Sequence, residues 1–79
     1  MITSKNTAPA MVEVFKTNVQ ESHHSEMMVQ ALCAHFPSFR INFDLDDCDR
    51  ILRVEGSHVP ADKIIELLRE NGFDCLALE

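Results

Sequence analysis

The sequence predicts an α+β fold in which two helices pack on one face of a four-stranded antiparallel sheet. Two observations carry this. Apolar spacing switches between period 2 and period 3.6 in the order strand, helix, strand, strand, helix, strand. Pro37, Gly56, Pro60 and Gly72 punctuate the switches. The chain has 79 residues, 46% apolar and 25% charged, the balance of one small folded domain.

Residues 1–10 are polar, contain Pro9 and read as a flexible N-terminal lead. They lack the apolar stretch of a signal peptide. Residues 11–79 read as a single domain. Met11 to Thr17 is rich in β-branched and aromatic residues and reads as a strand, with Val12 and Val14 facing inward and Glu13 and Phe15 on the other face. Asn18 to His24 is polar and reads as a loop. Ser25 to Phe36 reads as a helix, with Val29, Leu32, Cys33 and Phe36 at i, i+3, i+4, i+7; Pro37 stops it.

Arg40 to Leu45 alternates, with Ile41, Phe43 and Leu45 on one face. Asp46 to Asp49 is a turn, and Arg50 to Glu55 a third strand with Leu52 and Val54 inward. Pro60 suits the first turn of a second helix and Asp62 its positive end. Ala61, Ile64, Ile65 and Leu68 form its apolar stripe, Gly72 ends it in the left-handed region, and Phe73 to Leu78 is the last strand. The order βαββαβ is the ferredoxin-like arrangement.

Charge and composition exclude several functions this scaffold can host. The chain carries −6 with His neutral, against nonspecific nucleic-acid binding, which rests on Lys and Arg. RNA recognition on the sheet needs stacked aromatics beside basic residues, and only Phe15 is expected there. An acyl-phosphate hydrolase needs an anion-binding loop after the first strand, and this loop carries Glu21 and no Arg. Three scattered cysteines are too few for an iron–sulfur cluster. Their odd number and wide spacing predict reduced thiols and a cytoplasmic protein. No apolar run approaches the roughly 20 residues that span a bilayer, so no membrane contact is expected. No nucleophile–base arrangement stands out, so the chain is expected not to be an enzyme.

The segment from Val59 to Phe73 resembles the closing half of a heavy-metal-associated domain, the module of copper chaperones and metal-pump N-termini. The shared features are Ile64-Ile65-Glu66, then Gly72, then the aromatic Phe73. Phe36-Pro37-Ser38-Phe39 also resembles that family's Leu-Pro-Gly-Val link after helix one. The resemblance covers about Val12 to Leu78. It implies a metal-carrying loop between the first strand and first helix, where the family places Cys-x-x-Cys. Here the loop reads Val19-Gln20-Glu21-Ser22-His23-His24-Ser25 and contains no Cys. One register puts Ser22 and Ser25 at the Cys positions; a shift of one puts Glu21 and His24 there. Neither restores the dithiolate that holds Cu(I).

Two functions follow as expectations. In the first, Glu21, His23 and His24 bind a transition-metal ion (Zn, Ni or Cu), since imidazole suits these metals. Glu21 with His24 is the better-spaced pair, and a second molecule would complete the ligand set. In the second, the domain keeps the fold without the metal and docks a protein. With strands ordered 4-1-3-2, the open sheet face is expected to carry Leu76 and Leu78, then Phe15, then Ile51. Such a strip marks a weak homodimer or a protein partner. The competing assignments are bland: a polar loop with a Ser helix cap, Lys16, Arg53 and Glu55 stems over the sheet, and Cys33 as a buried small hydrophobe. Asp44, Asp46, Asp47 and Asp49 read as a hairpin turn; a calcium loop would need Gly where Asp49 stands and helices at its flanks.

Overall fold

The computed structural model describes residues 11–78. The flexible lead expected for residues 1–10 lies outside the described residues. The elements are β1 (Met11–Thr17), α1 (Ser22–His35), β2 (Arg40–Asp44), β3 (Ile51–Gly56), α2 (Ala61–Glu70) and β4 (Cys75–Leu78). The four strands form one antiparallel sheet in the order β2-β3-β1-β4. This is the ferredoxin-like α+β fold predicted from the apolar spacing.

Strand pairing fixes which residues share a face. Phe15 lies opposite Leu52 and Ala77, and Glu13 opposite Val54. The inner face therefore holds Phe15, Leu52, Val54 and Cys75, and it packs against Met28 and Leu32 of α1 and Ile64 and Leu68 of α2 in one core. Each of these side chains is 0–1% exposed. Gly56 shares this parity, and the space above it is filled from elsewhere. A Cβ there would stand 2.5 Å from the Phe39 ring, which stacks on Phe36 at 5.1 Å and 9°. The Phe36–Phe39 link thus fills an inner-face position that β3 leaves empty.

The helices differ from expectation in small ways that matter. α1 begins at Ser22, three residues earlier than predicted, so His23 and His24 lie in its first turn, not in a loop. Its N-cap is Glu21, with no side-chain cap bond. The expected Ser cap is absent; Ser25 instead donates to the Ser22 carbonyl at 2.7 Å. Its buried residues are Ser25, Met28 and Leu32; Leu32 is as expected, but Met28 takes the place of Val29, and Cys33 and Phe36 are only half-buried. Neighbouring positions on a helix differ by about 100°, and flanking apolar residues blur the stripe's centre.

α2 is plainly two-faced, with Ile64 and Leu68 buried. It ends as predicted: Gly72 has φ +91°. The Phe73 N–H donates to Leu68 O at 3.0 Å and the Gly72 N–H to Arg69 O at 3.0 Å, the paired bonds of a Schellman cap. Phe73 belongs to this cap, so β4 starts two residues later than the alternation indicated.

Candidate functional site

Two places were singled out by the sequence: the start of α1 and the open face of the sheet. At the first, the structure brings Glu21 and His23 together, with Oε1 3.4 Å from Nδ1. Both are well exposed. The His23 and His24 ring centroids lie 4.2 Å apart, tilted by 51°. The His24 ring faces Phe73 at 5.5 Å, so one imidazole leans on the α2 cap and the other on Glu21. The pair in contact is therefore Glu21–His23, whereas spacing favoured Glu21–His24. The carboxylate sits on the extended N-cap and reaches the first helical turn from outside it.

Among the described residues, only Asp47, Cys48 and Asp49 place three potential ligand atoms within 4.8 Å of one another. These groups already build the β2–β3 turn. Asp47 Oδ1 accepts the Asp49 N–H at 2.8 Å, and Asp49 Oδ1 lies 3.7 Å from Lys16 Nζ. Arg50 follows in the left-handed region, φ +48°. Its guanidinium donates to the Leu45 carbonyl at 2.8 Å, and its own carbonyl accepts the Thr17 hydroxyl at 2.6 Å. An Asp-rich turn was legible; an Arg holding it by a positive φ was not, because nothing in its residue type marks that conformation.

Cys48 is exposed, Cys33 half-buried and Cys75 buried, and all three are free. Burial pushes the Cys75 thiol up to about 11 from 9.0, partly offset by the Arg69 charge. Cys75 is therefore a protonated, inert core residue at neutral pH.

The open sheet face departs most from expectation. Phe15 is 0% exposed and belongs to the inner face; it is not part of any docking strip. Val12, Val14 and Lys16 take the outer face in its place. Ile51 does share the outer parity, opposite Asp44, but is only 8% exposed. Lys16 shares this outer face at the same end of β1, and its Nζ stands 3.7 Å from Asp49 Oδ1. Leu76 and Leu78 point outward as predicted, 58% and 40% exposed, and Val12, on the outer face of β1 beyond its pairing with β4, is 51% exposed. Leu78 pairs with Val14 and Leu76 with Lys16.

The outer face is thus divided. Its β4–β1 half is aliphatic apart from Lys16: Leu76, Leu78, Val12 and Val14. Its β3–β2 half is polar apart from Ile51: Arg53, Glu55, Arg40, Asn42 and Asp44. Lys16, Arg40 and Arg53 against Asp44 and Glu55 leave this whole face at +1, whereas the chain carries −6. Most of the acidic residues lie on the helices and turns.

No protein-family model matches the chain, nor does any curated protein or solved structure match it significantly. Among the described residues, no helix is long and apolar enough to cross a membrane.

Proposed function

We propose that this domain is a non-enzymatic interaction module that self-associates weakly through the β4–β1 half of its open sheet face. One observation supports this above the others: Leu76 and Leu78 are 58% and 40% exposed on β4, Leu78 lies opposite Val14, and Val12, 51% exposed, follows Val14 on the same face of β1. Scattered apolar residues on a surface need no explanation, but a contiguous aliphatic patch does. The charge distribution favours a second copy as the occupant. Two copies joined through this face bring their least charged sides together and hold their acidic sides apart. In this reading the chain is a metal-free relative of the heavy-metal-associated domains it resembles.

Sedimentation equilibrium tests it. The protein is expected to dimerise at high concentration, more strongly in added salt, which screens the residual repulsion. Leu76→Glu should leave a folded monomer. A strict monomer in the unsubstituted protein removes the reading.

A second reading is favoured by the Glu21–His23 contact and the adjacent His24 ring: weak capture of Zn or Ni at Glu21, His23 and His24. Two imidazoles and a carboxylate offer too few fixed ligands for a closed tetrahedral site. Dialysis of reduced protein against Zn and Ni should show binding that is lost when His23 and His24 are both replaced by Ala. Unchanged binding in that variant rules the site out. Cu(I) should be stripped by a strong chelator, since no thiol lies in this segment.

A further inference from the structure

The sheet has two edges, and they are unlike. β4 is four residues long. β2 is five residues long, pairs with β3 without interruption from Arg40 to Asp44, and contains no Pro and no bulge. In an antiparallel ladder alternate residues of an edge strand turn their N–H and C=O away from the sheet. Among the described residues, no backbone hydrogen bond runs from Arg40–Asp44 to any element other than β3. Native sheets commonly blunt such an edge with Lys, Pro or a bulge. Here the only basic residue of β2 is Arg40, at its first position.

A groove of about 580 Å³ runs beside this edge, between β2 and α1. Its apolar floor is Val29, Ile41, Phe43 and Leu45. Its charged residues are Glu26, Asp44 and Asp46, with no Lys or Arg among the lining. The nearby Arg50 guanidinium is occupied by the Leu45 carbonyl, where it ties off the end of the strand. Free strand edge, apolar floor and acidic rim therefore coincide in one place.

We propose that the β2 edge and its groove bind an extended segment of another protein, added as a fifth strand, with apolar side chains alternating with Lys or Arg. Main-chain bonds to β2 supply the pairing, and alternation supplies the selectivity. One set of side chains enters the groove over Ile41 and Phe43. The basic residues turn to the outer face, where they meet Asp44 and, in the turn beyond it, Asp46; Glu26 stands on the helix side of the groove. An acidic segment is disfavoured because its carboxylates would face Asp44 and Asp46. The site is separate from the β4–β1 face and is independent of the self-association proposed above.

The probe is a synthetic peptide of about eight residues, a typical strand length, alternating Val and Lys. It is titrated into isotopically labelled full-length protein and followed by amide chemical shifts. Shifts are expected in Arg40–Leu45 and along the facing side of α1, and binding should weaken steeply with salt. That salt dependence is opposite in sign to the one expected for self-association. A Val–Glu peptide should bind at least about tenfold more weakly, as should the Val–Lys peptide to Asp46→Lys. Asp46 is an exposed turn residue, so folding is not at stake in that variant. Shifts spread over all acidic surfaces, shifts confined to β4, or equal binding by a Gly–Lys peptide would each overturn the proposal.

Discussion

The two faces of the β1–β4 pair are built from the same stretch of chain and behave as opposites. On the inner face Phe15 and Cys75 are sealed beneath the helices; one residue along, Val14, Leu76 and Leu78 look outward. The composition of the two sets is similar: each is apolar apart from one or two polar members. Apolar character alone therefore does not say which side of a strand is core. Coverage by the helices does, and that is a tertiary property.

The strongest way to break this contrast is to put one charge on each face at adjacent positions. Phe15→Glu places a carboxylate in the core, at a cost above about 4 kcal/mol. That is comparable to the roughly 3–5 kcal/mol available to a domain of this size, so the variant should be largely unfolded by circular dichroism. Val14→Glu should stay folded and lose no more than about 1 kcal/mol in urea titration. If both variants fold equally well, the assignment of faces is wrong.

A smaller effect sharpens the same contrast through pH. Between pH 9.0 and about 11 the Cys75 thiol ionises in the unfolded chain but stays protonated in the folded one. The folded state then binds more protons, so stability falls as pH rises through that window. The loss should be on the order of 2 kcal/mol. Cys75→Ala should flatten this part of the stability profile relative to the parent. Cys48, exposed in the hairpin turn, should react with a thiol reagent in the native protein long before Cys75 does.

The smallest effect concerns the boundary between the two halves of the outer face. Arg53 stands opposite Val14 on β3, where the aliphatic half meets the polar half. Arg53→Leu widens the patch by one side chain and should tighten self-association about threefold to tenfold by sedimentation, the equivalent of roughly 1 kcal/mol of added apolar burial. No change in association would mean that the dimer, if formed, uses another surface.

These contrasts show what the sequence carried. The element order, the hairpin turn, the α2 stripe and the Gly72 cap were all legible. Each rests on local chemistry: Pro and Gly conformations, and apolar residues at one clear period. The face of β1 was not legible, since Val12 and Val14 form as good an apolar set as Met11 and Phe15. The known inward direction of Leu52 would have resolved it only with the Phe15–Leu52 register in hand. The start of α1 was misplaced because Ser22, His23 and His24 have weak helical preference and no apolar periodicity. At the open face, Leu76 and Leu78 were placed outward correctly, whereas Phe15 was put there wrongly in place of Val12 and Val14, for the same reason of parity. The groove beside β2 drew no attention in sequence because it joins residues from α1 and β2 that only the fold makes neighbours.

The Phe39 ring over Gly56 has a consequence for ancestry. The ring occupies the volume of a Cβ at position 56, so these two sites are not free to vary separately. A chain descended from the same ancestor that gains a side chain at the position of Gly56 must shrink the residue at Phe39, turn its ring away, or move the α1–β2 link. The 36–39 segment and the end of β3 should therefore be inherited as a unit. Joint replacement at those two positions would mark divergent members of this lineage even where overall identity has faded.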